Sequence, residues 1–177
     1  EWADKYKGQF DKGWDKWREE CLERQKQMGL VPPNTELAPR DEEVQEWNSL
    51  PDDERKLYAR MMEVFAGYLS YADHCIGRLI SALELAGELD NTMVVLVSDN
   101  GASAEIMVRD GGHDPDAPPG SAASYLCLGP GFSSASNTPF RRHKTWVHEG
   151  GVSTPLVVHW PAGIAAKGEL RRPPGHP

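Results

Sequence analysis

Val94-Val-Leu-Val-Ser-Asp-Asn-Gly101 runs from four apolar residues, three of them valine, straight into an acid, an amide and a glycine. A short apolar run bounded by turn residues reads as a buried strand, here over positions 93 to 98. Asp99 and Asn100 then stand at its carboxyl end, the edge at which open α/β sheets bind ligands. Downstream, Lys144-Thr-Trp-Val-His-Glu-Gly-Gly-Val-Ser-Thr-Pro155 carries a lysine into a double-glycine bend, and Leu156-Val-Val-His-Trp160 opens a second apolar strand. The pattern predicts two strand ends and one ammonium group converging on an anion.

Upstream of the strand the period changes to that of a helix. The longest helix is predicted to start after Ser49, which forms a capping-box pattern with Asp52, and to stop at Gly87. Leu57, Met61, Val64, Phe65, Tyr68, Ala72, Ile76, Leu79, Ile80 and Leu83 keep the three-and-four spacing of a buried stripe. Leu89-Asp-Asn-Thr92 then turns the chain into the strand, an α-turn-β unit of layered α/β domains. A second helix is expected from Asp11 to Met28, with Trp14, Trp17, Cys21 and Met28 near one face and Gly29 as its stop. Prolines at 32, 33 and 39 make the next segment an extended connector, and a short helix is expected around Asp41 to Trp47. Between Gly101 and Thr138 the chain is rich in glycine, serine, alanine, proline and aspartate, with a short strand expected around Tyr125 to Leu128 and Gly129-Pro-Gly131 read as a turn. Loops this long inside a compact domain are functional or mobile.

With 177 residues, 39% apolar and 26% charged, the composition is that of a soluble globular chain. Two or three strands do not complete a parallel sheet buried on both faces, so the chain is expected to be part of a larger domain. A net charge of −8, with no basic run longer than Arg141-Arg-His-Lys144, argues against a nucleic-acid partner. No window is apolar enough for a membrane span, and no secretory leader pattern opens the chain. The three cysteines, Cys21, Cys75 and Cys127, form no CxxC pair and suggest no disulfide framework. Cys75 reads as a small buried side chain on a helix face.

Asp99 and Asn100 supply hard oxygen donors of the sort that calcium or magnesium prefers. Taken alone, Asp-Asn-Gly is more often an ordinary turn, and a lone lysine such as Lys144 is more often a surface residue. The order of features changes that balance. Asp90-Asn-Thr92, Ser98-Asp-Asn-Gly101, Lys144 ahead of Glu149-Gly-Gly151, and Pro155 opening a strand that closes in Trp160-Pro-Ala-Gly163 together resemble the sulfatase family, the formylglycine-dependent arylsulfatase branch of the alkaline phosphatase superfamily. The helix with Tyr71-Ala-Asp73 and Ile76-Gly-Arg-Leu79, and the opening from Asp4 to Trp17, are similar to that family as well.

The resemblance implies an α/β fold, an alkaline-phosphatase-like mainly parallel mixed sheet with flanking helices, incomplete in this chain. Residues 1–177 are expected to be the central to C-terminal part of the catalytic domain. It implies that Asp99 and Asn100 are Ca2+ ligands and that Lys144 contacts the sulfate group of a sulfated small molecule or glycan. The family's nucleophile is a formylglycine made from the cysteine of a Cys-x-Pro-Ser-Arg motif, and no such motif occurs here: Cys21 precedes Leu-Glu-Arg, Cys75 precedes Ile-Gly-Arg and Cys127 precedes Leu-Gly-Pro. The aspartate pair and the histidine motif that the family places near its N-terminus are also absent from these residues. The isolated chain is therefore expected to be inactive, and the family's calcium use and common export imply a periplasmic or extracellular setting. His113, in Asp110-Gly-Gly-His-Asp-Pro115, is a speculative substrate contact for which a solvated loop histidine is the more frequent state. His143 and His148 flank Lys144 without His-Glu-x-x-His spacing, which argues against zinc. A phosphate or phosphonate ester hydrolase of the same superfamily, or a non-catalytic calcium- or sulfated-glycan-binding relative, are the alternative readings.

Overall fold

The computed structural model describes residues 1–105 and 112–171. Helix α1 spans Gly13–Gln27 and ends with Gly29 in the left-handed region at φ 71°, as the sequence predicts. Its inward face matches the expected one at Trp14 and in part at Trp17, which packs against the core, but not beyond. Trp14, Arg18 and Leu22, four apart, are buried, whereas Trp17 and Cys21 are only half-buried and Met28 is exposed. Polar anchoring selects this face: the Arg18 guanidinium donates to the Ala38 carbonyl (2.7 Å), and Asp15 Oδ2 accepts the Trp47 amide (2.9 Å). The expected helix around Asp41 to Trp47 is instead a turn followed by the 3-10 turn Trp47–Ser49, because Asp15 and the α1 face claim the backbone there.

Helix α2 spans Asp52–Leu85 and stops before Gly87 (φ 73°). Ser49 does not cap it: its hydroxyl donates to the Glu46 carbonyl (2.7 Å), Pro51 takes the N-cap position, and Asp52, Asp53 and Glu54 place negative charge in the first turn, where the helix dipole favours it. The predicted stripe is also corrected. Ala59, Met61, Met62, Glu63, Ala66 and Gly67 are the buried residues, and of the predicted positions only Met61 is among them. The first half of α2 packs this other face on the N-terminal segment, where the 3-10 turn Ala3–Tyr6 lies against Gly67. Along the second half Tyr68, Leu69, Leu79 and Leu85 stay exposed, and Cys75, expected to be buried, is half-exposed.

The core is aromatic. Phe10, Trp14, Val44, Trp47, Leu50, Ala59, Met62, Ala66, Phe132 and Ala135 form one cluster. Phe132, fully buried, meets Phe10, Trp14 and Trp47 edge-on at centroid distances of 5.9, 5.5 and 5.8 Å, the arrangement that ring quadrupoles favour. It sits on helix α3, Gly129–Ser136, where the sequence suggested a turn. Pro130 suits the first turn of that helix, and burial of Phe132, Ser133, Ser134 and Ala135 overrides the poor helix propensity of a glycine- and serine-rich segment. Tyr125 to Leu128, expected as a strand, carries no strand pairing among the described residues.

Strands β1 (Val94–Val97) and β2 (Leu156–His159) pair antiparallel, with Val94 opposite His159 and Val97 opposite Leu156. The pair is extended at both ends, by Thr154 Oγ1 donating to the Ser98 carbonyl (2.6 Å) and the Ala162 amide donating to Asp90 (2.9 Å). Among the described residues this two-stranded antiparallel sheet is the only one, and Val95, Leu96, Leu156 and Val157 are exposed. A two-stranded ribbon with open apolar faces is marginal in water.

Candidate functional site

The carboxyl end of β1 and the lysine segment are joined through backbone. The Gly101 amide donates to the Gly151 carbonyl (3.0 Å), and the Lys144 amide donates to the Ala102 carbonyl (3.0 Å). Asn137, just beyond α3, bridges the two segments: its Oδ1 accepts the Ala102 amide (2.9 Å) and its Nδ2 donates to the Arg142 carbonyl (3.1 Å). The buried Ser133 hydroxyl adds a bond to the Ala102 carbonyl (3.0 Å). Sequence reasoning missed both residues; an amide ahead of Thr-Pro, able to donate and accept at once, was the available signal.

Glu149–Val152 forms the single helical turn α4. Neither glycine of Glu149-Gly-Gly151 has a positive φ, so backbone freedom is not what the double-glycine bend requires. Their purpose is close approach. A Cβ on Gly150 would lie 2.1 Å from the Arg142 carbonyl oxygen, and one on Gly151 would lie 2.0 Å from that of Trp146.

Lys144 sits between two non-glycine residues in the left-handed region, Arg142 (φ 69°) and Thr145 (φ 82°). Such conformations are costly for ordinary residues and persist only where the surroundings over-determine them. The half-buried Lys144 projects its Nζ to 3.7 Å from Glu105 Oε1, a partly exposed ion pair. Asp99 is exposed, and its carboxylate has no hydrogen bond or ion pair among the described residues. Asn100 Nδ2 donates to the Gly101 carbonyl (2.9 Å), which leaves Oδ1 without a partner among them. These uncommitted carboxylate and amide oxygens fit a hard cation, yet the described residues hold no cluster of three or more acidic, histidine or cysteine side chains able to enclose a metal.

His113 is occupied in shaping its own loop. Its Nδ1 accepts the Tyr125 amide (3.1 Å), beside the Asp114 amide bond to Ala123 (2.8 Å), and among the described residues no hydrogen bond or ion pair ties it to Lys144, Asp99 or Asn100. Of the cysteines, burial pushes the Cys21 thiol up, away from the thiolate that a nucleophile requires.

Behind the lysine lies a charged cluster that the sequence did not reveal, since its members come from segments a hundred residues apart. His143, 8% exposed, directs Nε2 at Glu43 Oε1 (2.7 Å) and Nδ1 at the Lys144 carbonyl (3.0 Å). Arg142 approaches buried Asp41 at 3.6 Å and Glu43 at 3.7 Å, and its guanidinium lies 4.4 Å over the Trp146 ring.

A profile of the family described as Sulfatase matches residues 1–176. The chain is 34% identical over 172 residues to an uncharacterized sulfatase of Schizosaccharomyces pombe, covering 91% of this chain and 31% of that protein. It is 31% identical over 182 residues to an arylsulfatase of Klebsiella aerogenes, covering 96% of this chain and 38% of that one. A shorter match, 31% identity over 94 residues, covers 53% of the chain and 14% of the N-acetylgalactosamine-6-sulfatase of Rattus norvegicus. The chain belongs to the sulfatase family, and it spans about a third of the length of the first two relatives.

Proposed function

We propose that the full-length protein hydrolyses sulfate esters, with Lys144 binding the sulfuryl group and Asp99 and Asn100 supplying part of a Ca2+ site. The family match over nearly the whole chain carries this reading. The backbone bonds that seat the lysine turn on the end of β1 support the placement of the three residues. A sulfate ester holds its charge on the non-bridging oxygens and builds more on the leaving oxygen in the transition state. A fixed ammonium at Lys144 stabilises that charge without reorganising. Bound calcium would add Lewis-acid polarisation of the same oxygens. The formylglycine, and the remaining calcium ligands, are proposed to come from outside residues 1–177, which makes this chain inactive in isolation. A substrate contact from His113 would use Nε2, since Nδ1 accepts the Tyr125 amide. The mainly parallel sheet is proposed to be completed by further strands packing on the exposed β1 and β2, and the site to operate in the periplasm or outside the cell.

The test is turnover of p-nitrophenyl sulfate against p-nitrophenyl phosphate by the full-length protein, before and after chelation. Sulfate turnover lost to EDTA and restored by Ca2+ is expected; a preference for phosphate removes the sulfatase reading. Glu105 offers a finer check. Its carboxylate shares Lys144 with the incoming anion and repels it, so Glu105→Gln is expected to lower KM. Exposed pairs are worth about 0–1 kcal/mol, which limits the gain to roughly fivefold. An unchanged or raised KM would show that the pair does not compete with substrate.

A further inference from the structure

We propose that His143, held by Glu43, is a positioning residue for Lys144. The proposal rests on the reading of Lys144 as the sulfate-binding lysine and adds to it the device that aims that side chain. Both backbone groups of Lys144 are tied: its amide donates to the Ala102 carbonyl (3.0 Å), and its carbonyl accepts from His143 Nδ1 (3.0 Å). With the two flanking peptide units fixed, the direction of the Lys144 Cα–Cβ bond is fixed as well. The histidine ring is itself immobilised, buried and bound through Nε2 to Glu43 Oε1 (2.7 Å). Both of its partners are oxygen acceptors in fixed positions, so the ring is held from both nitrogens.

The clamp matters because the turn resists its own shape. Arg142 (φ 69°) and Thr145 (φ 82°) bracket the lysine in a region that side-chain-bearing residues avoid, and relaxation of either one swings Lys144 off the end of β1. Arg142 is restrained from the same direction as His143, by Asp41 (3.6 Å) and Glu43 (3.7 Å). The segment ahead of α2 thereby acts as a brace for the lysine turn. A shift of about 1 Å in a positioned group can cost about a hundredfold in rate.

The experiment uses the full-length protein and p-nitrophenyl sulfate. His143→Leu is expected to lower kcat about 10- to 100-fold, while His143→Asn, which keeps a donor at the Nδ1 position for the Lys144 carbonyl, recovers part of the loss. In a Lys144→Ala background His143→Leu is expected to add nothing, because a group acting through the lysine has no effect once the lysine is gone. A purely structural role would add its loss in both backgrounds. Glu43→Ala, at a side chain 45% exposed, provides the same comparison should the leucine variant fail to fold. Amide exchange gives a readout independent of turnover: Lys144 and its neighbours are expected to exchange faster in His143→Leu and Glu43→Ala. Wild-type kcat in His143→Leu or Glu43→Ala, or a full additional loss on top of Lys144→Ala, overturns the positioning role. A fully active Lys144→Ala variant instead removes the lysine reading, which separates the two failures.

Discussion

Lys144→Ala in the full-length protein is expected to lower kcat for an aryl sulfate about 10²- to 10³-fold while leaving the melting curve nearly unchanged. The magnitude is that of removing one preorganised donor from a developing oxyanion, about 2.7–4 kcal/mol. Stability is spared for a structural reason. The only ion pair of the Lys144 side chain among the described residues is the partly exposed one to Glu105, worth at most about 1 kcal/mol. The contact that shapes the turn is the Lys144 amide to the Ala102 carbonyl, and alanine keeps it. Lys144→Arg is expected to recover only part of the rate, since the charge returns on a longer, planar group with different donor geometry. Steady-state kinetics with thermal melts on the three proteins make the comparison. Wild-type kcat in the alanine variant would remove Lys144 from the reaction, whereas a collapsed melting curve would make the turn itself the thing lost.

The parts of this molecule that were legible in its sequence are those whose signals are local. Gly29 and Gly87 mark where α1 and α2 end, and the valine run gives β1 within a residue, because helix stops and apolar runs are written in adjacent positions. The motifs Ser98-Asp-Asn-Gly101 and Lys144 with Glu149-Gly-Gly151 identified the family for the same reason. What failed depended on partners distant in sequence. The apolar stripe of α2 missed most of the buried residues, because the helix packs on Ala3 and its neighbours, with Trp2 reaching Tyr71 and His74, while the residues beyond stay mostly exposed. Helix α3 was hidden in glycines and serines whose helicity comes from burying Phe132 among three other aromatic rings. In the site, the roles of Asn137, Glu43 and His143 were invisible because contacts between segments distant in sequence leave no periodic trace. The sequence named the residues expected to meet the substrate, and the structure adds those that hold them in place.

Gly101→Ala is expected to be the most disruptive glycine-to-alanine change among the described residues. The new Cβ would stand 1.7 Å from the Gly150 carbonyl oxygen, far inside an ordinary contact, and the atom it meets is backbone. Gly150 cannot recoil, since a Cβ built on it would already lie 2.1 Å from the Arg142 carbonyl oxygen, and its amide is committed to Arg141 (2.9 Å). Relief therefore requires the end of β1 to lift from α4, which breaks the Gly101–Gly151 bond and loosens the neighbouring bond from the Lys144 amide to Ala102. The overpacking term alone is about 1–3 kcal/mol, and losing one or two buried hydrogen bonds adds about 1 kcal/mol each. A loss of about 3 kcal/mol in denaturant unfolding of the full-length protein is expected, with kcat down at least about tenfold in the molecules that remain folded. Gly77→Ala is the control: a Cβ there meets nothing within 4 Å on the exposed part of α2, so helix propensity predicts a gain of about 0.5–1 kcal/mol. Equal stability of the two variants would mean that β1 and the lysine turn do not approach this closely. A Gly101→Ala protein that is destabilised yet keeps full kcat would show that the junction supports the fold without aiming Lys144.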